Sequence, residues 1–310
     1  MVGVMSQFSI IITGYNQAKF IEDAVSSALS QHYSDKEIII VDDGSDDGSD
    51  GILEKYDHVA RLIRLESNIG ASRARNLGAA AATGDYLVFL DGDDLLLPWA
   101  LDVYAQVLTR QEASVIFGSL LWFEGQPPET RPEDFPREVR FVAFQPFIKK
   151  DRSHRPSASA TVIHRRIFQE VQGWTSDMFP MEDFDIVLKV SRCPCIQIVS
   201  PSVTSYRVHG SNSIHSVAPF VRELRRVIGK VQRSEYPCSR SHRLESYAFV
   251  GGPALFWAKR AYCSGLRAEA LRLLASGWAM ILAAAIYRSR ILLKGRRRIE
   301  MIPMEWSRDG

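Results

Sequence analysis

An α/β fold is what this sequence predicts: a mostly parallel sheet flanked by helices, followed by a helical C-terminal region. Three observations carry the prediction. Over the first 120 residues, short runs that are apolar throughout alternate with segments of helical periodicity. Continuously apolar strands belong to sheets buried on both faces, whereas half-exposed strands alternate. Acidic and Gly-containing turns recur directly behind these runs, at the carboxyl ends where such sheets bind ligands.

Phe8–Thr13 opens the series as a strand, and Lys19–Gln31 follows as a helix with Phe20, Ile21, Ala24, Val25, Ala28 and Leu29 at helical spacing. Glu37–Val41 is a second strand, Asp50–Tyr56 a short helix and Ala60–Leu65 a third strand. Gly70–Ala82 is Ala-rich and helical, and Tyr86–Leu90 is a fourth strand behind the Thr83-Gly84 turn. Pro98–Arg110 reads as a helix with Pro in its first turn, and Val115–Phe123 closes the alternation. The Pro-, Glu- and Gly-rich stretch Glu124–Pro136 is a surface loop or boundary. From about Phe141 to His215 the pattern is less regular, with a helix near Glu182–Arg192 and a strand near Ile196–Val199. Residues after about 217 read as almost wholly helical. These shifts divide the chain into 1–125, 126–216 and 217–310.

A chain of 310 residues can bury a substantial core in one large or two modest domains. Its 46% hydrophobic and 24% charged residues are ordinary for a globular protein, and a net charge of +2 gives no reason to expect a nucleic-acid partner. Met1–Gln7 lacks the basic-then-apolar layout of a signal peptide, so a cytoplasmic location is expected. Cys193, Cys195, Cys238 and Cys263 are expected as free thiols; Cys193-Pro194-Cys195 is too short and isolated for a zinc site.

The chemistry-bearing residues sit at strand ends. Tyr86–Leu90 runs into Asp91-Gly92-Asp93-Asp94, and a strand ending in Asp-x-Asp delivers two carboxylates to one sheet edge. Such hard oxygen ligands suit Mg²⁺ or Mn²⁺, whose other positions go to water and phosphate oxygens. A solvated turn is the plainer reading of the same residues. Ile38–Val41 runs into Asp42-Asp43-Gly44-Ser45-Asp46-Asp47-Gly48, where a carboxylate can accept a hydrogen bond from a base N–H. A calcium loop would need a helix before it and an apolar residue where Asp50 stands. Asn68-Ile69-Gly70 opens a helix whose amides suit an anion, with Arg73 or Arg75 adding charge. Glu182 and Asp183 sit in a first helical turn, where the macrodipole favours them; either can serve as a general base. His209 stands in the polar loop Tyr206–Ser213 and suits Mn²⁺ or phosphate.

Taken in order, Thr13-Gly14-Tyr15-Asn16, Val41–Ser45, Gly70–Asn76, Ala82–Tyr86 and Asp91–Asp94 resemble family-2 glycosyltransferases of the GT-A fold. The resemblance is close over about 8–125 and reaches about 215 through Glu182-Asp183 and Tyr206–Ser213. It implies an inverting transfer of one sugar from a nucleotide-diphosphate donor, UDP first among the bases, to a hydroxyl of a glycan or lipid-linked acceptor. In that reading 1–125 is the nucleotide-sugar half and 126–216 the acceptor and catalytic-base half. Thr13 would lie along the nucleoside and Asp43 would contact the base, with Tyr15, Asn16, Asn68, Gly70, Arg75 and Gly92 completing the donor site. Asp91 would sit near the ribose and metal, Asp93 would bind the Mn²⁺ or Mg²⁺, and His209 would be a late metal or phosphate contact. Asp183, or its neighbour Glu182, would take the acceptor proton. The chain departs from the common Pro-Thr-Tyr-Asn at Ile12-Thr13-Gly14-Tyr15-Asn16, beside the nucleoside, and lacks the Gln-x-x-Arg-Trp of processive synthases. A catalytically silent sugar-nucleotide-binding protein of the same fold is the alternative. A nucleotidyltransferase would need a Gly-rich basic loop where Gly14-Tyr15-Asn16-Gln17 stands.

Leu274–Tyr287 is an uncharged run, shorter than the roughly 20 residues of a spanning helix, followed by Arg288, Arg290, Lys294 and Arg296–Arg298. It reads either as a core helix with a solvated basic tail or as a peripheral contact with an anionic membrane, at its inner face.

Overall fold

The computed structural model of the protein describes residues 6–144, 157–210, 212, 216–238, 240–294 and 299–304. The chain runs through β1 (Phe8–Gly14), α1 (Ile21–Leu29), β2 (Lys36–Asp42), α2 (Ser49–Leu53), β3 (Arg61–Arg64), α3 (Ala71–Ala81), β4 (Tyr86–Asp91), β5 (Leu95–Leu96), α4 (Ala100–Arg110), β6 (Val115–Phe117) and β7 (Leu120–Glu124). It continues with β8 (Glu138–Phe144), β9 (Thr161–His164), α5 (Arg165–Glu170), α6 (Glu182–Lys189), β10 (Cys195–Ser200) and β11 (Thr204–Val208). The helices α7 (Val217–Gln232), α8 (Arg243–Cys263) and α9 (Arg267–Lys294) precede a last strand, β12 (Glu300–Pro303).

A nine-stranded sheet has the order β12-β8-β10-β6-β9-β4-β1-β2-β3. Following the pairings across it, only β8 and β9 run against the other strands, so the sheet is mostly parallel, as expected. The apolar runs explain themselves by alternation. Ile10 and Ile12 of β1 join α1 and α4 in one core, whereas Ile11 joins α3 and α6 in another. Val88 and Leu90 divide from Leu87 and Phe89 in the same way. Both faces are covered, so the strand interiors are apolar on both sides, with Ser9 buried through its hydrogen bond to Glu37.

The structure departs from expectation in two places. Val115–Phe123 is not one strand. Its course breaks at Gly118, where a Cβ would come within 2.5 Å of Val203 Cγ2, and β7 leaves the large sheet to pair with β11 in a three-stranded sheet, β5-β11-β7. The irregular middle segment supplies β8, β9, α5 and β11 besides the expected helix and strand, so 1–125 and 126–216 share one sheet. The last segment is almost wholly helical, as expected, and adds one short strand, β12, which pairs antiparallel with β8.

The helices α7, α8 and α9 form a second core with Met178, Met181, Phe184 and Leu188 at α6. Gly251 lets α8 lie directly on α9, since a Cβ there would fall 1.9 Å from the Met280 carbonyl oxygen. Asp185, fully buried on α6, accepts hydrogen bonds from Thr175 and Tyr236 and pairs with Lys230 of α7 at 3.0 Å. The uncharged run lies within α9, where Arg267–Tyr287 is long and apolar enough to cross a membrane, yet only 33% of its apolar window is buried. The side chains of Arg288, Arg290 and Lys294, and all of Arg296–Arg298, lie outside the described residues.

Candidate active site

The parallel register of β1, β2 and β4 aligns Thr13 with Val41 and with Asp91, which brings three strand-end turns to one sheet edge. Asp43 is buried there. Its two carboxylate oxygens accept from the amides of Ile69 at 2.8 Å and Gly70 at 2.9 Å, joining the second turn to the start of α3. Burial raises its pKa, and these two bonds oppose the rise. Two further acids of this turn serve the backbone: Asp42 accepts from Ser45, and Asp47 from Ala18 and Ser49. Asn16 is used similarly, accepting from the Asp46 amide at 2.9 Å at a positive φ of 53°.

Arg75 stands at the centre. It projects inward from α3 and is buried, whereas Arg73 is exposed. Its guanidinium pairs with Asp91 at 2.6 Å, approaches Glu182 at 3.7 Å and lies 5.0 Å from the Trp174 ring centroid. Burial works against the charge, but Asp91, Asp183 and Glu182 outweigh it and hold Arg75 firmly protonated. Burial pushes the first two carboxyls of α6 upward, Asp183 to about 6 and Glu182 to about 7; Asp183 also raises Glu182, while Arg75 pulls both back. Asp183 takes a hydrogen bond from the Ala158 amide. Its Oδ1, like Glu182 Oε2, Ser72 Oγ and Arg75 Nη1, is buried without a hydrogen-bond partner among the described residues. Buried polar atoms left this way cost about 1–3 kcal/mol each, so a cluster of them marks where a polar ligand is received.

The acidic turn divides its labour. Asp94 is a scaffold residue: buried, it accepts from Ser159 Oγ at 2.6 Å and from the Arg207 amide at 2.9 Å. Arg207, equally buried, donates to the Asp93 carbonyl, pairs with Asp23 at 2.7 Å and lies between the rings of Phe20 and Phe123. Gly92 leaves space for the side-chain ends of Gln17 and Ile21, which a Cβ would meet at 2.2 and 2.6 Å. Asp93 meets His209 Nε2 at 2.9 Å; burial and then Asp91 raise its pKa, and the His209 contact opposes them.

Among the described residues no three His, Cys, Asp or Glu side chains converge into a closed metal cage. The available donors are Asp91 and Asp93. Arg75 engages one oxygen of the first and His209 one oxygen of the second, leaving one oxygen of each outside these pairs. Mg²⁺ and Mn²⁺ held by one or two carboxylates, with phosphate oxygens and water for the rest, fit such a pair.

A cavity of about 1000 Å³ gathers these groups. Thr13, Tyr15, Asp43, Asn68, Gly70, Arg75, Asp91, Asp93, Glu182 and Asp183 all line it. Asn16, Gly92 and His209 are not among its described lining residues; they brace the turns behind it.

Residues 9–172 match the family profile described as Glycosyl transferase family 2. The chain belongs to that family. An uncharacterized glycosyltransferase of Nostoc sp. (strain PCC 7120) is 28% identical over 70% of this chain and 69% of its own length. TuaG of Bacillus subtilis (strain 168), assigned to teichuronic acid biosynthesis as a glycosyltransferase, is 44% identical over 38% of this chain and 49% of its own. Among solved structures, Staphylococcus aureus TarS residues 1–349 in complex with UDP-GlcNAc aligns with a TM-score of 0.68 at 16% identity, covering 89% of this chain and 81% of that one. The mannosyltransferase PcManGT of Pyrobaculum calidifontis, in complex with GDP-Man and Mn²⁺, aligns at 0.54 with 18% identity, covering 94% and 85%. These likenesses bear out the GT-A fold.

For this glycosyltransferase, sequence reasoning missed the support around the site. Ser72, Trp174 and Ser159 carry no motif of their own, while Asp94 and Arg207 lie within quoted motifs that gave no sign of their bracing role. Only the helical phase of Ser72 with Arg75, three residues apart, signals that both face the same way. The aromatic side chains that α8 adds to the cavity, Phe249, Phe256 and Trp257, also went unnoticed, because on a helix they read as core.

Proposed function

We propose that this glycosyltransferase moves one sugar, with inversion, from a nucleotide-diphosphate donor to an acceptor hydroxyl, with Asp183 as the general base. The observation that carries the reading is the unpartnered Asp183 Oδ1, buried in the same cavity as the strand-end turns. Asp183 is preferred to Glu182 because it is the less buried of the two and lies outside the close Arg75 contacts. Asp43, Thr13 and Asn68 would receive the nucleoside, and Asp91 and Asp93 would hold Mn²⁺ or Mg²⁺. Such a cation offsets the charge that grows on a departing diphosphate. His209 would orient Asp93 from behind, as partners of metal ligands do. Asp183, ionised, accepts the proton of the attacking hydroxyl; Arg75 keeps Asp91 fixed and lowers the cost of the neighbouring negative charges.

UDP-GlcNAc and GDP-Man in the two structural relatives support a nucleotide-sugar donor, with UDP tested first. Relatives named for teichuronic acid biosynthesis and as a teichoic acid poly(glycerol phosphate) polymerase support a role in building a bacterial surface polymer. The test is Asp183→Asn. It should keep Mn²⁺-dependent UDP binding and lose transfer by about 10²–10⁴-fold, the usual cost of a missing general base. Loss with Glu182→Gln alone moves the base one residue. Donor binding with no turnover in the unaltered chain, over a broad acceptor panel, would favour a silent binding protein.

A further inference from the structure

We propose that the α8 side of the cavity is the acceptor subsite, and that it takes a saccharide joined through phosphate to a long apolar chain, presented at an anionic membrane. The proposal rests on the transfer reading above and adds the acceptor's class. The cavity of about 1000 Å³ stands at the upper end of the roughly 300–1,000 Å³ of ligand sites, and it has two unlike halves. Its polar half is the sheet edge. Its other half is walled by Phe220 of α7 and by Phe249, Pro253, Phe256, Trp257 and Arg260 of α8. Trp257 stacks on Phe220 at 4.1 Å and 10°, and Phe256, 46% exposed, meets Trp257 edge-on. Arg260 lies 5.3 Å from the Trp257 centroid and makes no salt bridge among the described residues.

Glu182 and Asp183 line the same cavity, so a hydroxyl presented to Asp183 has the helical wall available for the rest of its molecule. That wall offers apolar rings and one guanidinium. Rings take hydrocarbon, and a guanidinium takes phosphate through paired N–H donors.

The outer face of α9 supplies the second observation. Leu271, Ala275, Trp278, Leu282 and Ile286 repeat at spacings of four, three, four and four residues, and all are exposed, Trp278 by 65% and Leu271 by 64%. An apolar stripe at helical period ordinarily faces a core. Here it faces outward, with Arg267 and Arg272 exposed near its start and Arg288, Arg290 and Lys294 following in sequence. Apolar side chains among cations match an anionic lipid surface, where a lipid-linked acceptor would reside.

The test measures binding of farnesyl phosphate, farnesol and glycerol 3-phosphate to the full chain in the presence of UDP and Mn²⁺. Farnesyl phosphate should bind at least tenfold more tightly than the other two. Arg260→Gln should weaken it by about tenfold or more, with Arg260→Lys intermediate, and UDP binding should stay unchanged. Phe256→Ser, at an exposed ring, should weaken it without loss of folding. In flotation with vesicles, phosphatidylglycerol mixed into phosphatidylcholine should recruit the chain, and Trp278→Glu with Leu282→Glu should release it. Glycerol 3-phosphate binding as tightly as farnesyl phosphate, no effect of Arg260→Gln and Phe256→Ser, or unchanged flotation of the double variant would overturn the proposal. Loss of UDP binding in the unaltered chain would instead strike the donor reading.

Discussion

At the sheet edge, polar side chains take their positions from main chain: Asp43 from the amides of Ile69 and Gly70, Asp94 from the amide of Arg207, Asn16 from that of Asp46. On the α8 side, positions come from rings packed on rings, with Trp257 on Phe220 and Phe249 on Phe184. The first kind of wall has little freedom, since each acid is committed to a turn whose geometry it helps to define. The second can be rebuilt by exchanging side chains on an unchanged helix. The family profile ends at residue 172, before α6, so the matched part contains the turns and excludes the helical wall.

The largest effect on the polar wall should come from Arg75→Met. Removing one partner of a buried ion pair costs about 3–5 kcal/mol, because the carboxylates left behind are uncompensated. Urea denaturation should show this loss at pH 8 and a smaller one at pH 5, where protons on Glu182 and Asp183, two of the three acids around it, replace the missing cation. An equal loss at both values would break the claim that Arg75 balances these three acids.

The acid limb of activity sharpens the same point. A carboxylate base works only when ionised, and Asp183 is pushed up to about 6, so kcat/KM should fall as pH drops through that value. A limb near 4, the ordinary carboxylate range, would place the base elsewhere.

On the helical side, Gly251→Ala should force α8 and α9 apart and cost about 1–3 kcal/mol, read as a lowered Tm with donor binding retained. Smallest is Asn16→Ala, which removes one bond to the Asp46 amide and should cost about 1 kcal/mol. UDP affinity should barely change; a large loss would show Asn16 acting in the donor site.

Much of this was legible in advance for a physical reason. Strands buried on both faces announce themselves, and the turns behind β1, β2 and β4 carried the residues that line the polar wall. β9 and β12 escaped because four residues cannot establish a period, and the second also follows a long helix. Gly118 hid the passage of the chain from one sheet to another. Whether Arg73 or Arg75 faces inward depends on helix phase, which only packing against β1 and Trp174 settles. The α9 stripe was visible as hydrophobicity, but its outward direction was not.

The pairing of β12 with β8 has a consequence for anyone shortening this chain. Deleting the basic run together with everything after it would also strip β12 from the sheet margin. β12 is a guarded margin: it is short, begins with Glu300 and ends with Pro303, which has no N–H to offer. Behind it lies β8, seven residues long, with Val139, Phe141 and Phe144 buried. Once bared, that strand would be a template for a second copy, and self-association of the shortened protein would then report a lost cover instead of a lost membrane contact.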